Sequence, residues 1–314
     1  NRETWPGAFE AAENAYARLV QVIANSEPVD ISDLSEDHRT RVLALVGPTR
    51  YPIRTHLIPT NDAWCRDHGA VLVHEAEGGL AAVDFRYNAW GGKYPPFDLD
   101  AVVASQMAKL LGARRIQSNL TLEGGAIDVN GEGILLTTAS CVLNPNRNPG
   151  LTASEAERQL GALLGVDRVI WVEGELEGDD TDGHVDNLAR FVGPRDVVMS
   201  VPGPSGGDAS LAAGFERLRT DGERHDLRVH ALPLPPRQFS PPESGEHVPL
   251  PASYANFYIT NHSVLVPGYD TDADARAVDV LTPFFPDRQV EVVDCRAIAW
   301  GLGAVHCLTQ QVPA

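Results

Sequence analysis

An α/β fold assembled from five copies of one ββαβ unit is what the sequence predicts. Three observations lead there. Strand-like runs come in pairs, a helix-like run follows each pair, and a third strand-like run follows each helix. The pattern then recurs, with first strands opening near residues 69, 126, 187, 256 and 304. A ββαβ unit cannot bury its own sheet, so such units must pack on one another. A closed ring with the helices outside is the simplest packing, although an ordinary open α/β sheet would give the same alternation.

The first unit pairs residues 69–74 with 80–85, continues in a helix over 99–111, and closes with a strand at 115–118. The second pairs 126–129 with 133–138, then helix 153–164 and strand 168–172. The third pairs 187–192 with 196–201, then helix 209–218 and strand 227–232. The fourth pairs 256–260 with 263–267, then helix 271–281 and strand 289–294. The fifth is split between the two ends: strand 304–309, helix 9–23 and strand 54–59. No strand is found ahead of helix 9–23, and the sequence opens without Met, so an N-terminal segment reads as missing. The polar, Pro-rich stretch 233–251 reads as a surface loop, because the repeat resumes at Tyr254. Residues 1–314 are therefore expected to form a single domain.

Composition narrows the function. The 314 residues carry 25 Lys+Arg against 43 Asp+Glu, a net charge of −18. That balance argues against nucleic acid or an anionic membrane as partner, both of which need cationic patches. A small cationic ligand suits the field better. No run of 18 apolar residues is present to span a bilayer. Cys65, Cys141, Cys295 and Cys307 lack CxxC spacing, and scattered thiols point to a reducing, cytoplasmic location.

Unusual polar residues precede or begin the first strand of every unit. They are Trp64-Cys65-Arg66-Asp67-His68, Leu122-Glu123-Gly124-Gly125, Asp182-Gly183-His184-Val185-Asp186-Asn187, Ser253-Tyr254-Ala255-Asn256 and Val305-His306-Cys307. In a ring these positions face one cleft, which would hold a thiol, an imidazole and several carboxylates. Thiol and imidazole are a nucleophile and a general acid/base. Surplus carboxylates would raise a nearby thiol's pKa unless a cation sits among them. A planar guanidinium, clamped bidentately by two carboxylates, fits that need. Blander readings stay open: Asp67 could simply pair with Arg66, His184 could be a satisfied loop histidine, and Cys65, Cys141 and Cys295 read as small buried hydrophobes.

Metal and phosphate motifs fail. With Gly183 at position 6 of an EF-hand loop, Gly178 falls at position 1 and Ala189 at position 12, where acidic ligands are needed. No H-E-x-x-H is present, and Gly91-Gly92 and Gly124-Gly125 are isolated pairs without a P-loop lysine.

Eight ordered blocks resemble the agmatine deiminase (agmatine iminohydrolase) family, related to bacterial-type peptidyl-arginine deiminases. They are Glu3-Thr4-Trp5-Pro6-Gly7, Asn61-Asp62-Ala63-Trp64 with Arg66-Asp67, Leu122-Glu123-Gly124-Gly125, Leu135-Leu136-Thr137-Thr138, Leu143-Asn144-Pro145-Asn146-Arg147-Asn148-Pro149, Thr181-Asp182-Gly183-His184-Val185-Asp186, Ala252-Ser253-Tyr254-Ala255-Asn256-Phe257-Tyr258 and His306-Cys307-Leu308-Thr309-Gln310-Gln311. The resemblance implies a five-bladed α/β propeller of the guanidino-group-modifying superfamily. It implies hydrolysis of agmatine to N-carbamoylputrescine and ammonia, with no metal or organic cofactor, in proteins that are often dimers or larger. By matching positions it makes Cys307 the nucleophile, His184 the general acid/base, and Asp67 and Asp186 the guanidinium clamp. Glu123, Trp64 and Asn256 would be further substrate-site residues. Three features depart from the family pattern: Gly301-Leu302-Gly303-Ala304 replaces a run of the Gly-Gly-Gly-Asn kind, Ala126 stands where a polar residue is common, and the family's segment ahead of Glu3 is missing. Another guanidine substrate, such as peptidyl-arginine, or a non-catalytic propeller that binds polyamines or guanidines, are the alternative readings.

Overall fold

The protein is described from a computed structural model that covers residues 3–203, 209–240, 247–269 and 272–314. It opens with helix α1 (Phe9–Ile23), then strand β1 (Val29–Asp33), helix α2 (Glu36–Val46) and strand β2 (Ile53–Leu57). The first three-stranded sheet follows: β3 (Val71–His74), β4 (Leu80–Arg86), a helix over Val103–Leu111, and β5 (Arg114–Thr121). The second is β6 (Ile127–Val129), β7 (Ile134–Thr137), the helix Ala153–Leu164, and β8 (Arg168–Trp171). The third is β9 (Ala189–Gly193), β10 (Asp196–Val201), the helix Ala209–Glu223, and β11 (Arg228–Pro233). A small pair, β12 (Gln238–Phe239) and β13 (Pro249–Leu250), lies within the expected surface loop. The fourth sheet is β14 (Tyr258–Ile259), β15 (Ser263–Gly268), the helix Asp272–Leu281, and β16 (Gln289–Asp294). Thr271 of the expected helix and residues 241–246 of the expected loop lie outside the described residues.

Each of these sheets obeys one rule. The middle strand pairs antiparallel with the strand before it and parallel with the strand after the helix, as β4 does with β3 and β5. A parallel partner requires a long crossover, which the helix supplies. Middle strands are covered on both faces and so read as continuous apolar runs: Ile134-Leu135-Leu136-Thr137 and Ser263-Val264-Leu265-Val266 are buried throughout. The helices begin and end where local chemistry dictates. Thr152 caps Ala153–Leu164 by accepting from the Glu155 N–H, and Gly165 ends it at φ +67.

The strands form separate sheets of two or three strands, and no sheet closes on itself among the described residues. That excludes the single open α/β sheet. The fifth unit differs from its sequence reading in three ways. The strand taken as missing is β1, which pairs in parallel with β2. Its crossover helix is α2, whose face is too polar for its period to stand out; α1 is an additional helix. Residues 304–309 form turns and coil instead of a strand. Their backbone is bent around the site: the Arg66 N–H donates to the Cys307 carbonyl and the His306 N–H to the Asn256 carbonyl.

No helix among the described residues is long and apolar enough to cross a membrane. Leu302 is left-handed, at φ +68. A glycine at that position would adopt the conformation without cost, whereas a leucine carries about 1–2 kcal/mol of strain.

Candidate active site

Three short 3₁₀ turns and the 304–309 segment bring the expected residues together. The turns Gly124–Ala126, Val185–Asn187 and Tyr254–Asn256 each stand directly ahead of a first strand. Asp67, Glu123, His184, Asp186, Asn256 and Cys307 are all at most 6% exposed, so the cluster is nearly dry. Gly125 shows how close they are. A Cβ there would sit 2.6 Å from His184 Nδ1, 2.8 Å from Asp67 Oδ1 and 3.1 Å from Asp186 Oδ2.

Asp67 does not pair with Arg66. Its Oδ1 accepts from the Gly125 N–H at 3.0 Å and its Oδ2 from Trp90 Nε1 at 3.0 Å. Arg66 turns away, and its Nε donates to the His306 carbonyl at 3.4 Å. The ion-pair reading of Asp67 is therefore wrong. Sequence reasoning missed Trp90, whose only signal was the Gly91-Gly92 pair dismissed as isolated. Residues Ala89, Trp90, Gly91 and Gly92 all have positive φ. Holding Ala89 and Trp90 left-handed is costly, and the result is an indole N–H aimed at a buried carboxylate.

Cys307 Sγ lies 3.1 Å from Asn256 Nδ2 and 3.7 Å from Asp186 Oδ2. Asn256 orients the segment: its Oδ1 accepts from the His306 N–H at 3.0 Å, and its Nδ2 also reaches Asp186 Oδ2 at 3.2 Å. His306 Nδ1 bonds Asp186 Oδ2 at 2.8 Å. His306 had no assigned role, although it lies beside the nucleophile candidate. Asp186 Oδ1 has no hydrogen-bond partner.

His184 is held by its loop. Asp179 accepts from the N–H groups of Thr181 and Gly183, and the Thr181 hydroxyl accepts from the His184 N–H at 2.9 Å. The ring stands 3.7 Å from Asp67 Oδ1 and 3.6 Å from Glu123 Oε2, and neither ring nitrogen has a hydrogen-bond partner. It is not a satisfied loop histidine. Glu123 is fixed on its other side by Arg147, whose Nε lies 3.0 Å from both carboxylate oxygens. Cys141, expected to be inert filler, has its sulfur 3.8 Å from Glu123 Oε2.

Electrostatics follow from crowding and burial. Burial pushes the Asp186 carboxyl up to about 7, with Asp67 adding to the shift. Burial likewise raises Asp67, and Glu123 raises it further. Burial, then Asp186 and Asp67, lift the Cys307 thiol well above its ordinary value. Burial opposes protonation of His184, but Asp67, then Cys141 and Glu123, together outweigh it and raise the imidazole well above its ordinary value. A cation placed among these groups would relieve the carboxylates and the thiol together.

A cavity of about 1680 Å³ opens onto the cluster, and its lining includes Trp64, Asp67, Trp90, Asp180, Leu302 and Cys307. Trp64 packs flush against the chain, since a Cβ on Gly303 would meet its ring at 2.4 Å. Of the acidic run, Asp182 is tied to Arg147 and Lys93, while Asp180 takes the Tyr94 hydroxyl and lines the cavity.

The sequence matches the model of the Porphyromonas-type peptidyl-arginine deiminase family over residues 1–313. The chain belongs to this family. Among relatives of this deiminase family, the agmatine deiminase of Pseudomonas savastanoi pv. phaseolicola is 34% identical over 334 residues, 99% of this chain and 90% of the relative. A C. jejuni agmatine deiminase, solved as a Cys-to-Ser variant with substrate bound, is 30% identical at a TM-score of 0.88, covering 98% of this chain and 88% of that one. The agmatine deiminase of Enterococcus faecalis is 28% identical at a TM-score of 0.88, covering 100% and 90%. The mixed α/β fold is therefore that of the family's solved members.

Proposed function

We propose that this member of the deiminase family hydrolyses agmatine to N-carbamoylputrescine and ammonia. The observation that carries the reading is the convergence of Cys307, His184, Asp67 and Asp186 on one buried spot. Residues 1–314 act as one catalytic domain, whose five strand–helix–strand units pack as the blades of a propeller around the cleft. The recurrence of the parallel crossover in five of the six sheets supports that arrangement. A cytoplasmic location is in keeping with four free thiols.

In this reading Asp67 and Asp186 clamp the guanidinium, and Glu123, Trp64 and Asn256 complete its surroundings. The bound cation offsets the carboxylates that hold the Cys307 thiol up, so thiolate forms when substrate arrives. The thiolate attacks the guanidinium carbon. Protonated His184 gives its proton to the departing ammonia, leaving a thiouronium on Cys307. Neutral His184 then takes a proton from water, which attacks the same carbon and releases the ureido product and the sulfur. One group serves as acid and then as base, a role suited to imidazole. That the substrate-bound C. jejuni relative is a Cys-to-Ser variant supports a cysteine in the chemistry. Asp180 at the cavity wall favours a substrate whose far end is an amine, and the nearby Lys93 is already engaged by Asp182.

A kinetic panel of agmatine, free arginine and an arginine peptide, read as ammonia release, tests the assignment. A clear preference for either arginine substrate defeats it.

Two further outcomes are expected. The first concerns pH. Protonated Asp186 binds a cation poorly, so kcat/KM should fall as pH drops through about 7, where that carboxyl titrates in the free protein. A profile flat from about pH 5 to 8 contradicts a binding role for it. The second concerns Gly125→Ala. The added methyl displaces His184 and Asp67 by a fraction of an ångström to an ångström, which should cost about 10²-fold in kcat/KM. Steady-state kinetics beside a thermal melt would check it, and an unimpaired rate would show that these groups need not be held so closely.

A further inference from the structure

The geometry points to a site for a borderline divalent cation, Zn²⁺ being the type case, formed by Glu123 Oε2, Cys141 Sγ and His184 Nε2, whose occupancy shuts off the hydrolysis. A ring nitrogen of His184, a carboxylate oxygen of Glu123 and the Cys141 sulfur lie within 4.8 Å of one another, and all three residues are buried. Carboxylate, thiol and imidazole are the donor set that zinc prefers.

The separations are the decisive observation. His184 Nε2 to Glu123 Oε2 is 3.6 Å and Cys141 Sγ to Glu123 Oε2 is 3.8 Å. The first is too long for an N–H···O hydrogen bond, and the second is near the limit for sulfur. Yet a tetrahedral zinc with ordinary bond lengths separates its nitrogen and oxygen ligands by ~3.4 Å, and its sulfur and oxygen ligands by ~3.6 Å. The pairs thus stand within a few tenths of an ångström of two edges of a zinc tetrahedron. Neither His184 ring nitrogen has a hydrogen-bond partner, so no existing bond must break for the imidazole to bind metal.

Two neighbours would shape the bound state. Asp67 Oδ1 lies 3.7 Å from His184 Nδ1 and would orient the ligating ring from its far side. Arg147 grips the Glu123 carboxylate through Nε and would remain as its outer partner. The cavity that reaches Asp67 and Thr181 brings a small ion to the neighbours of His184. On binding, the Cys141 thiol loses its proton to solvent, sulfur donates a lone pair to the metal, and no group changes oxidation state. Water fills the fourth position. A metal-bound His184 can neither protonate ammonia nor activate water, so inhibition rests on the deiminase reading, while binding does not.

Cobalt(II) serves as the probe. Added to the metal-free full chain without substrate, it should bind one equivalent. It should give a sulfur-to-cobalt charge-transfer band with the intense visible bands of a four-coordinate ion, and Zn²⁺ should remove both. Cys141→Ser should abolish the charge-transfer band and weaken binding by about 100-fold or more, while Cys307→Ser keeps the signature. Glu123→Gln, which retains Cys141, should weaken cobalt binding by at least about tenfold, and so tests the site should the Cys141 variant fold poorly. Sensitivity of agmatine turnover to Zn²⁺, taken relative to each variant's own metal-free rate, should drop at least about tenfold in Cys141→Ser. A charge-transfer band that survives in Cys141→Ser and disappears in Cys307→Ser overturns the site, as does the lack of any band at stoichiometric cobalt. Normal turnover with no cobalt signature defeats the metal site alone. The signature without turnover of any guanidine defeats the deiminase reading and leaves the metal site standing.

Discussion

Cys307→Ser is expected to lower ammonia release from agmatine by about 10⁴-fold or more, the scale on which loss of a covalent nucleophile acts. Serine keeps the shape and an acceptor for Asn256 Nδ2, which lies 3.1 Å from the sulfur, so folding should be little changed. It loses the polarizable sulfur nucleophile, whose thiol ionises far more readily than a hydroxyl, and a hydroxyl beside Asp186 has no means of becoming an alkoxide near neutral pH. Agmatine should still bind, because the carboxylates remain. Acid quenching of the wild-type reaction should trap a Cys307 adduct lighter than substrate plus protein by one ammonia, visible by mass spectrometry. Turnover near wild type in the serine variant would remove Cys307 from the mechanism.

Asp67→Asn should produce the second large effect. The two oxygens of Asp67 both accept, one from Gly125 and one from Trp90. An asparagine has one acceptor and must turn its NH₂ toward one of those donors, so the side chain loses a partner as well as its charge. Loss of a charge-assisted hydrogen bond to the guanidinium is worth about 1.5–3 kcal/mol. Misorientation of the carbon under attack adds to this, so kcat should suffer beyond KM. Against that stands relief of a buried carboxylate crowded by Glu123. The melting temperature should therefore change little while kcat/KM collapses. A destabilised variant with normal turnover would return Asp67 to a purely structural part.

Much of the fold was legible because its signals are local. Continuous apolar runs and period-3.6 runs placed the sheets of the four complete units, since middle strands such as β7 and β15 are apolar on both faces. The fifth unit was misread because its strongest periodicity belongs to α1, whereas the crossover helix α2 buries only Val46. A helix with so small a buried face carries little pattern. The 304–309 segment was apolar enough to pass for a strand, yet its N–H groups serve Asn256 instead of a ladder.

The site divides in the same way. Residue type and order alone determined that this chain carries a thiol, an imidazole and a surplus of carboxylates at matching points of a repeat, and all seven expected residues meet at the cavity or behind it. The constellation needs only chemistry and phase along the chain, whereas the role of each residue is what the family resemblance implies. The tertiary structure alone decided which groups touch. Arg66 follows Cys65 and precedes Asp67, yet its side chain leaves for the His306 carbonyl, while Trp90 arrives from another segment to hold Asp67. His306 and Cys141, unremarkable as letters, stand against Asp186 and Glu123. The physical reason is that a hydrogen bond is set by distances of a few tenths of an ångström between segments far apart in the chain. Spacing along a sequence can say which loop a residue occupies, but only packing fixes where its side chain ends.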